Sequence, residues 1–167
     1  MDRPPVDATT FRRVLGSFAS GVTVVAVRGD DGADHGMTVS AFCSVSLEPP
    51  LVLVCIDHAA TCAPRIAAAT HAGISILGGE QAALSRRFAD PAADRFDGVA
   101  VVRGVTGVPL LDGALAHLEC RLVARYEAGD HAIVVGEVVA ATATGDDPLV
   151  YFRGQYRAVH PTGDSLR

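Results

Sequence analysis

The chain has 167 residues, of which 49% are hydrophobic, and it carries a formal net charge of −5. A chain of this length and composition can bury one core, so we expect residues 1–167 to form a single domain whose core runs from about residue 10 to about residue 160. Its fourteen basic residues are all arginines without a basic run, and no apolar run approaches the roughly 20 residues of a membrane helix, so we expect a cytoplasmic protein that binds neither nucleic acid nor membrane.

The amino-terminal part predicts a helix followed by a short strand. Asp7 or Thr9 can cap a helix whose apolar residues, from Phe11 to Phe18, recur at i, i+3, i+4 and i+7. We expect this helix to lie across the barrel that the strands would form. Residues 22–27 are β-branched and predict a strand, and the Gly/Asp-rich residues 28–32 predict a hairpin turn.

The most informative segment covers residues 36–57 and is rich in hydroxyl side chains that alternate with apolar ones. The hydroxyl residues are Thr38, Ser40, Ser44 and Ser46. Their spacing predicts that they share one face of a strand, which Pro49 and Pro50 end before a buried strand over 51–56. That face could bind a phosphate or a polyol, or it could belong to an edge strand without a ligand, and the pattern alone favours neither.

The rest of the chain predicts further strands with helices at their joins. Thr61 and Pro64 begin a short helix over 65–69 whose exposed backbone donors suit a phosphate. The later elements are a strand over 72–77, a helix over 80–89, a strand over 100–103, and a long hairpin of 115–127 and 131–142 that turns at 128–130. We expect residues 161–167 to be frayed.

Several chemistries have no motif in the sequence. The four cysteines form no Cys-x-x-Cys pair and favour buried, reduced thiols, and the six histidines show no metal-binding spacing, so no metal site is predicted. No Gly-x-Gly-x-x-Gly opens a helix, which argues against a Rossmann dinucleotide site. No nucleophile elbow is present, which argues against a hydrolase.

Blocks of sequence spread along the chain carry a resemblance to a known family. They are Phe18–Val25, Gly36–Asp57, Leu84–Ala89, Asp94–Phe96, Gly129–Val138 and Gly154–Arg157. In this order and spacing, from about Phe11 to about Val159, the chain resembles the short-chain flavin reductase family, the reductase component of two-component flavin-dependent monooxygenases. The Ser-Val-Ser-x-x-Pro-Pro block, which begins at Ser44, is the most specific of these motifs.

The resemblance implies a fold and an activity. The fold would be mainly β, a flavin-reductase-like, FMN-binding split β-barrel of Greek-key type with a few short flanking helices, assembled as a homodimer. The activity would be that of an NAD(P)H-dependent flavin reductase, an enzyme that transfers hydride from NADH or NADPH to FMN or FAD. The free reduced flavin would then pass to a partner monooxygenase.

The resemblance also implies flavin-binding residues at matching positions. Among them Ser40 would lie nearest the reactive N5 of the flavin and is therefore a candidate catalytic residue. The implied flavin contacts are Thr38, Val39, Ser40, Ala41, Ser44, Ser46, Cys55, Ile56, Asp57, His58, Thr61, Cys62, Arg87 and Phe88. Without the resemblance, Thr61 would be read as a helix cap, Phe88 as a core residue and Arg87 as part of a solvated helix face.

The nicotinamide side of the site is implied by two segments. His131 is the second candidate catalytic residue, because the family places this histidine beside the flavin and the incoming nicotinamide. Gly154, Gln155, Tyr156 and Arg157 match the segment that contacts the nicotinamide nucleotide. Alone, His131 would be a solvent-facing histidine at a strand end and Tyr156 would suit a subunit edge equally well.

The residues by themselves also allow other functions. One is a flavin-binding carrier or sensor without turnover, and another is a β-barrel interaction protein that binds no flavin. A flavin-dependent ferric reductase keeps the same hydride step with a different acceptor. The sequence does not choose between FMN and FAD or between NADH and NADPH, and it does not identify the monooxygenase.

Overall fold

A computed structural model describes residues 5–145 and 147–159. The helices in these ranges are α1 (Ala8–Leu15), α2 (Ala63–Ala68) and α3 (Ala82–Ala89), with a 3-10 turn over Gly79–Gln81. The strands are β1 (Ser20–Gly21), β2 (Thr23–Arg28), β3 (Asp34–Val39), β4 (Phe42–Leu47), β5 (Pro50–Asp57), β6 (His71–Ile76), β7 (Val101–Arg103), β8 (Pro109–Leu111), β9 (Ala116–Ala128), β10 (His131–Ala143), β11 (Val150–Phe152) and β12 (Gln155–Arg157). The mainly β prediction is confirmed, while residues 161–167, expected to be frayed, lie outside the described ranges.

Seven strands form one antiparallel sheet in the order β3-β2-β6-β9-β10-β5-β4. The two edge strands, β3 and β4, are consecutive in sequence and are joined by Ser40 and Ala41. The Cys55 amide of β5 donates a 3.0 Å hydrogen bond to the Ala41 carbonyl. The residues that follow β3 therefore pair with β5, which lies near the other edge of the sheet from β3. The sheet therefore curls until its two edges meet at the hydroxyl-rich segment.

The curled sheet surrounds a core of aliphatic side chains. On β5 the side chains of Val52, Val54 and Ile56 are buried, and the alternating residues are only half-buried. Residues from six strands and from α2 join this core in one cluster. Each buried valine or isoleucine contributes about 1.5–3 kcal/mol relative to an exposed one, so the alternation fixes which face of β5 points inward.

A second cluster explains why β2 is buried along almost its whole length. Val25 and Val27 face the core inside the sheet, whereas Val24 packs on the other side against Phe88 of α3 and Leu111 of β8. A strand covered on both faces needs apolar residues at consecutive positions rather than at alternate ones. The uninterrupted β-branched run predicted as a strand over 22–27 meets this need.

The helix α1 begins as predicted and lies at the surface of the sheet. The Asp7 side chain accepts hydrogen bonds from the amides of Thr9 (3.0 Å) and Thr10 (2.9 Å) and caps the helix. No residue of α1 is buried, and Phe11 is 58% exposed. Phe11 and Leu15 line a groove together with Leu53 and Cys55 of β5, so α1 lies over the sheet but is not buried against it. Within the described ranges no helix is long and apolar enough to span a membrane.

The hydroxyl-rich segment is two strands rather than one. β3 ends at Val39, β4 starts at Phe42, and a register shift follows between Ser44 and Ser46. The break and the shift change which way successive side chains point, since alternation holds only within a regular strand. The prediction that the four hydroxyls share one face is therefore wrong. The hairpin that turns at residues 128–130 is confirmed as β9 and β10.

Candidate functional site

A groove of about 760 Å³ lies between α1 and the exposed side of β4 and β5. Its walls are largely apolar, and they include Phe11, Leu15, Phe18, Leu53 and Tyr151. The Ser40 hydroxyl and the Cys43 and Cys55 thiols add a few polarisable groups. A volume of about 300–1,000 Å³, apolar walls and few polar groups are typical of small-molecule sites.

The groove brings together predicted residues that are far apart in sequence. Ser40 and Ala41 lie between β3 and β4, Cys55 lies on the outer side of β5, and Gly154 lies in the turn between β11 and β12. The first three belong to the predicted flavin set and the last to the predicted nicotinamide set. The closure of the sheet and the docking of the β11–β12 turn on α1 bring the two sets to one cavity.

His131 lies on the same outer face of the sheet as Cys55. It is the first residue of β10 and pairs across the strands with Asp57, while Ile133 pairs with Cys55. Alternate residues and directly opposed residues share a face, so His131 is a diagonal neighbour of Cys55, about 7–8 Å away between Cα atoms. The imidazole Nδ1 lies 2.7 Å from Asp130 Oδ1, and this hydrogen bond holds the pKa of Asp130 below its ordinary value.

Four predicted flavin contacts have their side chains in the core. They are Val39, Ile56, Cys62 and Phe88. Phe88 is fully buried and packs edge-to-face on Phe96 with ring centroids 5.0 Å apart, and burial raises the pKa of the Cys62 thiol to about 11. None of these four side chains lines the groove.

Three further predicted residues lie outside the groove. Ser44 is exposed on β4, and the Ser46 hydroxyl accepts a 3.2 Å hydrogen bond from the Glu48 amide. The Arg87 guanidinium donates to the carbonyl of Asp94 at 2.6 Å and to that of Asp97. Arg87 thus braces the loop after α3, and none of the three side chains lines the groove.

A partly buried hydrogen-bond chain links the flavin segment to the nicotinamide segment. The Thr38 hydroxyl donates to the Ser85 carbonyl at 2.6 Å, and the Ser85 hydroxyl lies 2.7 Å from the Tyr156 hydroxyl. The Tyr156 ring lies under the Arg86 guanidinium, 5.0 Å from its centroid. Tyr156 therefore packs on α3. The tyrosine of this hairpin that lines the groove is Tyr151, two residues before the turn, and it was not among the predicted site residues.

A smaller pocket of about 320 Å³ surrounds Thr61. The Arg95 guanidinium donates to the Thr61 hydroxyl at 3.2 Å and to the Gly36 carbonyl at 2.9 Å. Thr61 does not cap α2, because the helix starts after Cys62 and has no side-chain cap. Arg95 was not among the predicted site residues, although the Asp-Arg-Phe block at 94–96 contains it.

The remaining predicted residues are at the surface. The His58 imidazole Nε2 lies 3.0 Å from a Glu127 carboxylate oxygen, and the Asp57 carboxylate accepts a 2.8 Å hydrogen bond from the Ala59 amide. Gln155 and Arg157 are exposed on β12 and do not line the groove. In the part of the chain that the structure describes, no three His, Cys, Asp or Glu side chains converge as metal ligands would.

The curled antiparallel sheet and the open, largely apolar groove define a small β-barrel domain suited to a small-molecule ligand. Residues 15–160 match the family model described as a flavin reductase like domain. The chain belongs to the flavin reductase-like family.

Similar proteins extend over nearly the whole chain. It is 42% identical over 169 residues to an NADH-dependent FAD reductase of Streptomyces globisporus, covering 98% of this chain and 92% of that protein. It is 46% identical over 152 residues to the reductase component of a 4-nitrophenol 4-monooxygenase/4-nitrocatechol 2-monooxygenase of Rhodococcus opacus. That match covers 91% of this chain and 81% of that protein.

Solved structures agree with the fold. The Streptomyces globisporus C-1027 NADH:FAD oxidoreductase SgcE6, in complex with NAD and FAD fragments, superposes with a TM-score of 0.89 at 42% identity, covering 95% of this chain and 96% of that one. BorF, the flavin reductase component of a bacterial two-component tryptophan halogenase, superposes with a TM-score of 0.86 at 40% identity. The superposition covers 93% of this chain and 100% of that one.

Proposed function

We propose that this chain is a single-domain NAD(P)H:flavin oxidoreductase that reduces FMN or FAD and supplies the reduced flavin to a partner monooxygenase. Its family, and relatives named as NADH-dependent flavin reductases and as monooxygenase reductase components, support this function. The observation that carries it is the groove, which places Ser40, Ala41 and Cys55 beside Gly154. We also propose that the enzyme acts in the cytoplasm, where reduced nicotinamide nucleotides are available.

The residues present fit a flavin. Its ring system needs apolar walls and a polar edge, which Leu53, Tyr151 and the exposed Ser40 hydroxyl supply in the groove. Its phosphate needs donors, and the Thr61 hydroxyl with the Arg95 guanidinium can supply them in a pocket that Asp34 and Asp94 also line. From Gly36 to Ser40 the chain runs four residues, or about 13 Å at about 3.3 Å per residue, and so connects the two cavities.

The protein's part in the reaction is to bind and orient. Bound flavin supplies the hydride acceptor. Ser40 would donate a hydrogen bond to the polar edge of the ring, and His131 would orient the nicotinamide or stabilise negative charge that develops on the ring. The chain has no Rossmann motif, so the nicotinamide nucleotide would bind loosely over the flavin.

The test is to mix purified protein anaerobically with FMN or FAD and with NADH or NADPH, and to follow the flavin absorbance. Rapid bleaching with one pair would establish the activity and identify both substrates. Bound flavin that stays oxidised would favour a carrier or sensor instead, and failure to bind any flavin would contradict the assignment.

We further propose that the functional unit is a homodimer. The edge strand β4 exposes Val45 by 49% and Leu47 by 96%, and α1 exposes Val14 by 59%. An unpaired edge strand with apolar side chains is a surface that monomeric proteins avoid, because it invites pairing with another chain. A second copy that covers β4 and α1 would remove this exposure.

A further inference from the structure

A second cavity, of about 500 Å³, opens from the groove and is strongly basic. It is lined by Arg12, Arg13, Gly16, Ser17, Arg153 and Gly154. Arg12, Gly16, Arg153 and Gly154 also line the groove, so the two cavities are continuous. Its described lining contains no acidic side chain. We call this cavity the arginine pocket.

The three guanidinium groups of the arginine pocket have no anionic partner among residues 5–145 and 147–159. None of them takes part in a salt bridge there, although six other basic side chains do. Arg153 instead lies over the Phe152 ring, 5.1 Å from its centroid. In a chain of net charge −5, three unpaired arginines around one cavity are a site for an anion, since the arginine fork matches phosphate oxygens.

The backbone at Arg153 gives a second, independent reason. Arg153 and Gly154 form the two-residue turn between β11 and β12, with φ angles of 49° and 76°. Such turns favour Asn-Gly, and Arg153 is the one non-glycine residue with positive φ in the described chain. An arginine kept in a conformation that suits asparagine better indicates a use for its side chain.

The turn is held against α1, which fixes the three arginines relative to one another. The Arg153 amide donates a 2.9 Å hydrogen bond to the Gly16 carbonyl. Basic residues in the last helical turn also offset the helix dipole, which accounts for Arg12 and Arg13 without a ligand. That explanation does not extend to Arg153, which lies on another element.

We propose that Arg12, Arg13 and Arg153 bind the pyrophosphate of the nicotinamide dinucleotide. This rests on the proposed function and extends it to the part of the hydride donor that does not react. With the pyrophosphate in the arginine pocket, the adjoining groove receives the nicotinamide. The flavin phosphate has separate donors at Thr61 and Arg95, at the other end of the segment from Gly36 to Ser40.

The test compares NADH with 1-benzyl-1,4-dihydronicotinamide, a hydride donor without phosphate. The variant Arg153→Asn suits the turn and removes one charge. We expect it to raise the KM for NADH about tenfold, with kcat and the KM for flavin within about twofold, because a charge-assisted hydrogen bond to phosphate is lost. Arg12→Gln should also raise the KM for NADH. Neither variant should change the kinetics with the phosphate-free donor.

The matched control is Arg28→Gln, which changes the net charge equally but lies outside both cavities. The proposal would be overturned if Arg153→Asn left the KM for NADH unchanged or raised the KM for flavin instead. It would also be overturned if Arg153→Asn raised the KM for the phosphate-free donor as much as that for NADH. If the wild-type protein oxidises no NADH, the proposed function fails. Equilibrium binding of NADH, followed by its own fluorescence, then still decides whether Arg153 contributes to the nucleotide site.

Discussion

At the residue scale, neighbouring hydroxyls on one segment have different surroundings. The Thr38 hydroxyl is committed to the Ser85 carbonyl, 2.6 Å away, whereas Ser40 is exposed in the groove. Ser44 is equally exposed but lies outside the groove. Among these three residues, the geometry favours Ser40 for contact with a ligand.

Ser40→Ala should weaken flavin reduction, because it removes the hydroxyl from the groove without disturbing a hydrogen bond of the fold. A typical hydrogen bond contributes about 1 kcal/mol, so we expect kcat/KM for flavin to fall about fivefold. Ser44→Ala is the matched control and should leave the kinetics unchanged. Equal kinetics for the wild type and Ser40→Ala would argue against a ligand at this hydroxyl.

His131→Ala should give a modest defect rather than abolish activity. Hydride transfer moves no separate proton, so the loss should stay below the roughly hundredfold typical of a missing general acid or base. Stopped-flow measurement of flavin reduction and of NADH affinity checks this. If both the rate and the affinity were unchanged, the assigned role of His131 would be wrong.

The four thiols should react very differently with iodoacetamide. Cys43 is exposed and Cys55 is half-buried, and both line the groove. Burial raises the pKa of Cys62 to about 11 and that of Cys120 to about 12, so these two should stay unlabelled in the native protein. Peptide mass spectrometry should find Cys43 labelled first, and bound flavin should slow that labelling; labelling that flavin does not affect would place the flavin elsewhere.

At the scale of elements, one buried carboxylate holds the connection between β7 and β8. The Glu119 side chain on β9 accepts hydrogen bonds from the amides of Val105 (2.9 Å) and Thr106 (2.7 Å) and from the Thr106 hydroxyl. Burial raises the pKa of Glu119, but these hydrogen bonds outweigh it and leave the pKa below its ordinary value of 4.5. The ionised carboxylate therefore stabilises the folded state.

Glu119→Gln should lower stability by about 2 kcal/mol, or roughly 4–8 °C in Tm at neutral pH, because charge-assisted hydrogen bonds to a buried acceptor are lost. Since the folded pKa is depressed, this contribution is complete above the unfolded value and disappears as the pH falls through the folded value. The difference in Tm between the wild type and Glu119→Gln should therefore be constant from about pH 7 to about pH 5. It should shrink below about pH 4.5.

Glu137→Gln provides the comparison, since the Glu137 carboxylate pairs with Arg121 at the surface. That pair should contribute less than about 1 kcal/mol. A difference between wild type and Glu119→Gln that grew toward acidic pH would contradict the assignment of Glu119 as an ionised structural group.

At the scale of the whole molecule, the exposed edge of the sheet predicts association. Leu47→Asp places a charge on the most exposed apolar side chain of β4, and it should raise the dimer dissociation constant at least about tenfold, because about 1.5–3 kcal/mol of burial is lost. Sedimentation velocity measures this directly. Val123→Asp, at an exposed site on β9 that is three strands from β4 in the sheet, should leave the dimer intact; a monomeric wild type at all concentrations would contradict the proposed homodimer.

The sequence by itself determined the elements and the family. Alternation and β-branching are local properties of a strand, so the buried strand near 51–56, the long hairpin and the cap at Asp7 were all predictable. The ordered blocks from Phe18 to Arg157 identified the flavin reductase family, which the family match confirms. These inferences needed no knowledge of which strands meet in space.

Only the tertiary structure decided which of the predicted residues face a cavity. Phe88 and Ile56 lie in the core and Arg87 braces a loop, because packing against other elements determines where a side chain points. Tyr151 and Arg153 reach the groove through the docking of the β11–β12 turn on Gly16, directly after α1. Contacts between residues more than 100 positions apart depend on how the sheet closes, and no local pattern in the sequence records that closure.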